Sequence, residues 1–204
     1  RVCGSLASLC GLEGALQTND TKGIEEAVKR MLLLYGITFS IGGIPLLYSS
    51  DEIGKLNDYS YRFDESKKHD DRWVNRIAVN NEDTALALGQ TAPASLAEMS
   101  SLRICSGLQR MIGIRKQYAI FGQAQTHILD SDNQHCFVFM RENTKGEKLL
   151  VVCNFSEHEQ QLPRSLLTTV DCISSVDLLS GDNVSMESTP IVLAPFQQLW
   201  LLAD

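Results

Sequence analysis

The chain has 204 residues, 44% of them hydrophobic and 21% charged, and a formal net charge of −7 at pH 7. That length carries one or two domains with real cores. An acidic balance with no basic stripe argues against nucleic acid or an anionic membrane surface as a partner, and no segment reaches the roughly 18 apolar residues of a membrane-crossing helix.

Residues 1–20 are small and apolar, then turn-like at Thr18-Asn19-Asp20-Thr21. Ile24, Val28, Met31, Leu32, Tyr35 and Phe39 recur at helical steps and predict a helix over 24–41, capped by Asp20 or Thr21 and ended by Gly42-Gly43. Ile44 to Tyr48 then reads as a short strand, apolar on both faces and fully buried. From Ser49 to about Pro93 the chain is polar and irregular, as functional loops are. A second long helix is predicted over 95–117, with Leu96, Met99, Leu102, Leu108, Met111, Ile112 and Arg115 in its pattern.

After Tyr118 the period changes. Residues 124–129, 135–142, 147–154, 170–179 and 191–202 alternate apolar with polar side chains, separated by the turns 130–133, 143–146 and 180–183. Alternation broken by turns predicts antiparallel strands. The chain therefore divides into a helix–strand–loop–helix part, 1–120, and an all-β sandwich, 121–204. The first part is incomplete as it stands. One apolar strand between two helices needs neighbouring strands for its backbone groups, and this sequence contains none for it.

Six cysteines stand at 3, 10, 105, 136, 153 and 172. None forms a Cys-x-x-Cys pair and no histidine lies at zinc spacing from them, so they read as buried free thiols, with no metal and no cofactor expected. The opening Arg1-Val2-Cys3 leads into too short an apolar run for a signal peptide. Arg1 reads as a cut end, and the compartment stays open.

Two groups of residues could carry chemistry. Asp51 and Glu52 end the apolar run. Adjacent residues on one strand point to opposite sides, which makes them poor partners for acid and base work on one bond; they read as loop anchors. Asp70-Asp71-Arg72-Trp73 follows about twenty residues on. By residue type alone Arg72 reads as a surface ion pair with Asp70 or Asp64, Trp73 as packing, and His69 as a solvated side chain. His127, His135 and His158 lie near turns with no visible partners, and the three Asn-x-Ser/Thr sequons, at 19, 154 and 183, are what chance supplies.

The run Gly-Ile-Pro-Leu-Leu-Tyr-x-x-Asp-Glu at 43–52 resembles the eighth-strand motif of the α-amylase superfamily, glycoside hydrolase family 13. Arg1-Val2-Cys3-Gly4-Ser5, Asp51-Glu52-Ile53-Gly54-x-Leu56-Asn57-Asp58, Asp64, Lys67, Asp70 and Arg72-Trp73 resemble amylosucrase within it. So do Leu108 to Arg115, Asn154-Phe155-Ser156-Glu157, and Pro195-Phe196-Gln197-x-x-Trp200-Leu201. The resemblance covers essentially the whole chain.

It implies helix 7, strand 8 and helix 8 of a (β/α)8 barrel, followed by a C-terminal antiparallel β domain. It implies an enzyme that cleaves sucrose by retaining chemistry and passes glucose to an α-glucan or water, with the catalytic acids upstream of Arg1 and none in this chain. Arg72 matches an arginine at the base of the glucose subsite, and Arg1 one on the acceptor side. A guanidinium suits such a place because its fork serves a carboxylate and a sugar hydroxyl together. Sucrose and α-glucan are the expected partners. Two departures stand out. Ser50 replaces the usual glycine before Asp-Glu, at a point where the backbone calls for a permissive residue, and the Asp-Asp-Arg spacing is one residue shorter than in the family.

Two classes of function follow. In the first, the chain supplies a barrel unit and the β domain to a sucrose-cleaving transferase, hydrolase or related α-glucosidase, and is inactive alone. In the second, it is a non-catalytic module that binds carbohydrate or completes a barrel. After Tyr118 only Trp200 offers a Trp or Tyr side chain for a sugar platform, which weighs against glucan binding by the β part.

Overall fold

The first long helix starts where the Asp20 carboxylate accepts the Gly23 N–H at 3.0 Å, satisfying a donor that a helix start leaves free. The computed structural model describes residues 3–163, 166, 174–185 and 190–203. Its helices are α1 (Leu6–Leu9), α2 (Leu12–Gln17), α3 (Thr21–Ser40), α4 (Asn81–Ala87) and α5 (Leu96–Gln117). Its strands are β1 (Ala124–Leu129), β2 (Cys136–Asn143), β3 (Lys148–Asn154), β4 (Gln160–Leu162), β5 (Ser174–Asp177), β6 (Asn183–Ser185), β7 (Ile191–Leu193) and β8 (Gln198–Ala203). These gather into two compact units. One runs up to Leu32 and again from Leu46 to Gln109; the other takes Leu33–Pro45 and the chain from Arg110 on.

In the first unit, Ser5 caps α1 by accepting the Ser8 N–H. Ile24, Ala27, Val28 and Met31 form the buried stripe of α3, close to the expected one. On α5 the stripe differs. Ser100, Ile104, Cys105 and Leu108 are buried, whereas Met99, expected inside, is 50% exposed. The polar stretch 49–93 is not one loop. It contains three 3₁₀ turns, at Asp51–Ile53, Ser60–Phe63 and Asp71–Asn75, and α4. Asn80 and Asp83 start α4 with a reciprocal capping box, in which each side chain takes the other's backbone N–H.

The strand expected over 44–48 is corrected by the structure. No strand pairing occurs there among the described residues. Ile44 is 91% and Leu46 81% exposed. An extended segment becomes a buried strand only when neighbours take its N–H and C=O groups and cover its faces. The described residues provide no such neighbour.

The second unit is built on a six-stranded sheet ordered β1-β2-β3-β8-β5-β6, with antiparallel neighbours throughout. β4 and β7 form a separate antiparallel pair. Two-residue alternation sorts β2, β3 and β8 between two faces. Val138, Leu150, Val152, Leu199 and Leu201 meet Leu162, Ile191 and Leu193 of the small pair. Phe139, Leu149, Val151, Cys153 and Trp200 fill the other face, where the Trp200 ring lies 4.9 Å from that of Phe121. β3 is buried on both sides, and each large side chain so covered is worth roughly 1.5–3 kcal/mol.

The predicted strand 191–202 is two strands. Phe196, in the left-handed region at φ 54°, turns the chain between β7 and β8. β4 and β6 are too short for their alternation to show in sequence. The Asn154 sequon is a structural corner. Asn154 is fully buried, and its amide donates to the carbonyls of His158, Leu193 and Ala194. Cys3, Cys10, Cys105, Cys136 and Cys153 are free thiols; burial pushes Cys10 up to about 11. Cys172 lies outside the described residues.

Candidate functional site

The turn after the exposed segment shows what the Ser50 departure demands of the backbone. The Asp51 N–H donates to the Tyr48 carbonyl at 3.1 Å, closing a β-turn with Ser50 in its third position. Ser50 takes φ 86°, ψ −17°, the conformation that a type II turn requires there and that glycine supplies without strain. The next residue, Asp51, is 7% exposed and opens a 3₁₀ turn. That turn ends at Gly54, φ 61°, where a side chain would strike Ile104. Glu52 is a less complete anchor than expected, because its Oε2 is buried with no hydrogen bond among the described residues. Desolvation first, and the Glu52 charge second, push the Cys105 thiol up.

Asn57 ties two of the motifs together. Its Oδ1 accepts the Ser5 N–H at 2.8 Å, and its own N–H donates to Ser8 Oγ at 2.9 Å. Its Nδ2 donates to Glu13 at 3.2 Å and to the Tyr59 hydroxyl at 3.0 Å. The role of this residue was not legible in sequence, although it sits inside the 51–58 motif. The signal was the presence of two motif blocks, one ending at Ser5 and the other spanning 51–58, that one amide joins.

The stretch 58–76 holds the charged and aromatic side chains. Asp70 caps the Asp71–Asn75 turn by accepting the Arg72 N–H at 3.1 Å. Its carboxylate also takes the Arg72 fork, with Nε to Oδ1 at 2.8 Å and Nη2 to Oδ2 at 2.7 Å. These bonds, the side-chain ones first, hold the Asp70 carboxyl down at about 2. Asp64 is likewise held at about 2 by Ser66 and Lys67. The Arg72 side chain stays exposed, and Asp70 engages its Nε and Nη2 but not its Nη1. Trp73 is not simply packed. Lys67 Nζ lies 5.0 Å and the Arg76 guanidinium 4.9 Å from its ring centre, within cation–π range. His69 is exposed. Arg1 lies outside the described residues.

The second unit holds Arg141, which the sequence reading did not single out, and Arg115, which it placed only in a helix pattern. Arg141 is 2% exposed and Arg115 half-buried; both donate to backbone carbonyls. Desolvation lowers both guanidiniums from their ordinary range, and the Arg115 charge adds to this at Arg141. A cleft of about 530 Å³ in the same unit is lined by Gln123, Gln125, His127, Glu142 and Asn143 among others; Arg72 is not among its lining residues. Among the described residues no cluster of metal-ligating side chains occurs, and no helix is long and apolar enough to cross a membrane.

The architecture is that of helices followed by an antiparallel sheet-rich domain, and solved structures share it. Over 88% of this chain and 35% of the other, it superposes on a variant of AmyP in complex with maltotriose, with TM-score 0.62 and 14% identity. AmyP in complex with maltose gives TM-score 0.60 at 14% identity, over 87% of this chain and 35% of the other. By sequence the chain is 26% identical over 177 residues to glucosylglycerate phosphorylase of Escherichia coli (strain K12), covering 87% of this chain and 29% of that protein. The chain thus spans about a third of the length of the proteins it matches. Residues 126–202 match the amylosucrase C-terminal domain family. Residues 126–202 thus resemble an amylosucrase C-terminal domain, and most of the chain is similar to part of a glucosylglycerate phosphorylase and shares its fold with part of AmyP.

Proposed function

We propose that these residues act as the C-terminal part of a longer retaining α-glucoside-cleaving enzyme, of the kind that takes glucose from sucrose and passes it to an α-glucan or to water. Residues 1–120 supply helix 7, strand 8 and helix 8 of its (β/α)8 barrel, and 121–204 form its β domain. Ile44–Tyr48 is the strand, exposed here for want of its barrel neighbours. The carboxylates that break and form the glycosidic bond belong to the rest of the barrel. This chain contributes binding: Arg72 at the base of the glucose subsite and Arg1 on the acceptor side.

The observation that carries the reading is the amylosucrase-type domain at 126–202 in one chain with the Ile44–Glu52 and Asp70–Trp73 motifs. The Arg72 geometry agrees with it. A guanidinium fixed by Asp70 through Nε and Nη2 keeps one edge to offer a sugar hydroxyl.

The relative from Escherichia coli favours a second reading with the same first half-reaction, in which inorganic phosphate is the acceptor and a glucosylglycerate the donor. Both are tested by one assay. A longer polypeptide containing this chain is given sucrose or glucosylglycerate, each with α-glucan, water or phosphate as acceptor, and the released fructose or glycerate is measured. The first reading expects fructose from sucrose, no dependence on phosphate, and no activity from the 204 residues alone. Phosphate-dependent release of glycerate selects the second. Fructose release by the 204 residues alone overturns both.

A further inference from the structure

The last turn of α3 and the residues just after it present three carbonyls, of Phe39, Ile41 and Gly43, that each receive a guanidinium N–H from elsewhere in the same unit. Arg115 Nη1 donates to Phe39 O at 2.5 Å and Nη2 to Gly43 O at 2.8 Å. Arg141 Nη1 donates to Ile41 O at 2.6 Å and to Thr126 Oγ1 at 2.7 Å. The Thr126 hydroxyl itself lies 2.6 Å from Ile41 O, where it can donate. Helix C-termini favour cations, but two at one helix end, one buried and one half-buried, exceed what capping needs. Such a pair, with Arg141 almost wholly buried, is costly unless the geometry it fixes is required. Gly42 shows the fit from the other side. It adopts φ 113°, and a side chain on it would occupy the place of Arg141 Nη1.

These carbonyls flank the point where the chain leaves α3 for the 44–48 segment. We infer that Arg141 and Arg115 are positioning residues, which hold the carbonyls of Phe39, Ile41 and Gly43 and so fix where, and in which direction, the segment beginning at Ile44 departs. This rests on the reading of 44–48 as a barrel strand. On that reading the β domain is the anchor of the strand's first residue, because Arg141 and Thr126 stand on β2 and β1. A lysine in place of either arginine keeps the charge and loses the two-pronged reach.

The test is ¹⁵N relaxation on the 204-residue chain. The wild type is expected to show order parameters near 0.85 at Gly42, Gly43 and Ile44, the value of rigid backbone. Arg141→Lys is expected to drop these three below about 0.6 while β2 and β3 keep theirs. Thr126→Val, which removes one hydroxyl and suits a strand, gives a smaller drop at the same amides and serves if Arg141→Lys does not fold. Unchanged order parameters at 42–44 in whichever of the two variants folds overturn the inference. In a longer polypeptide that cleaves an α-glucoside, Arg141→Lys is expected to lower kcat roughly 10- to 100-fold with KM little changed, as misplacement does. Unchanged kcat there also overturns it. Failure of the longer polypeptide to cleave any α-glucoside would count against the barrel reading alone, because the relaxation result does not depend on activity.

Discussion

Leu149–Cys153 and Ile44–Tyr48 are both five-residue apolar runs, and the first lies wholly buried while the second lies largely open. Hydrophobicity does not separate them, although Pro45 removes one ladder donor from the second. β3 has β2 on one side and β8 on the other, in register from Leu149 to Cys153, with side chains over both faces. The 44–48 segment has no pairing strand among the described residues. Burial is thus a property of a strand's neighbours, and apolar sequence states only what the strand would accept.

Substitutions sharpen the contrast. Leu150→Ala opens a cavity in a core packed from both sheets and is expected to cost about 2–5 kcal/mol, read from urea unfolding of the chain. Leu46→Ala is expected to stay within about 0.5 kcal/mol of wild type in the same measurement. A large cost at Leu46 would break the comparison, because it would mean that the segment already packs.

Asn154→Ala strips three carbonyls of their donor at the corner after β3 and is expected to cost about 1–3 kcal/mol. Ser50→Gly acts in the opposite sense. It relieves a positive φ at the turn after the exposed segment and is expected to add about 1 kcal/mol. A loss of stability there would show that the Ser50 side chain contributes more than its backbone conformation costs.

The smallest effect is electrostatic. The Asp70 carboxyl titrates at about 2 in the folded chain against an ordinary 3.8, so its contribution is full above the higher value and is lost as pH falls through the lower. The group is solvent-exposed, and screening keeps the effect on global stability slight. Carboxyl ¹³C shifts should show a midpoint near 2 that moves up towards 3.8 in Arg72→Ala. An unmoved midpoint would mean that the fork does not hold Asp70.

Much of this architecture is legible in the sequence. The ends of β1 agree with the alternation to the residue, and those of β2 and β3 to within one. The long helices followed from their caps and stripes. On α5 the stripe passes through Ser100 rather than Met99, because a small polar residue that bonds its own helix, through Oγ to Leu96 O, is cheap to bury. Arg141 carried a signal that was missed. Alternation sets it on the same side as Phe137 and Phe139, a place where a cation belongs only if its charge is partnered, as the two Nη atoms of Arg141 are. The Arg72–Asp70 fork was legible as an ion pair, whereas the stacking of Lys67 and Arg76 on Trp73 depends on turn geometry that no spacing encodes. For 44–48 the lack of partner strands was legible, and the burial expected of it failed for that same reason, since only the residues with which a segment pairs can bury it.

Amide hydrogen exchange at Leu46, Leu47 and Tyr48 tests the central claim most directly, measured in the 204-residue chain and in a longer polypeptide that contains it. The account predicts exchange at nearly the open-chain rate in the first and slowing by a factor of at least about 10³ in the second, as for amides paired inside a stable sheet. Equally fast exchange in both would contradict it, because the segment would then be a loop and not a strand awaiting its neighbours.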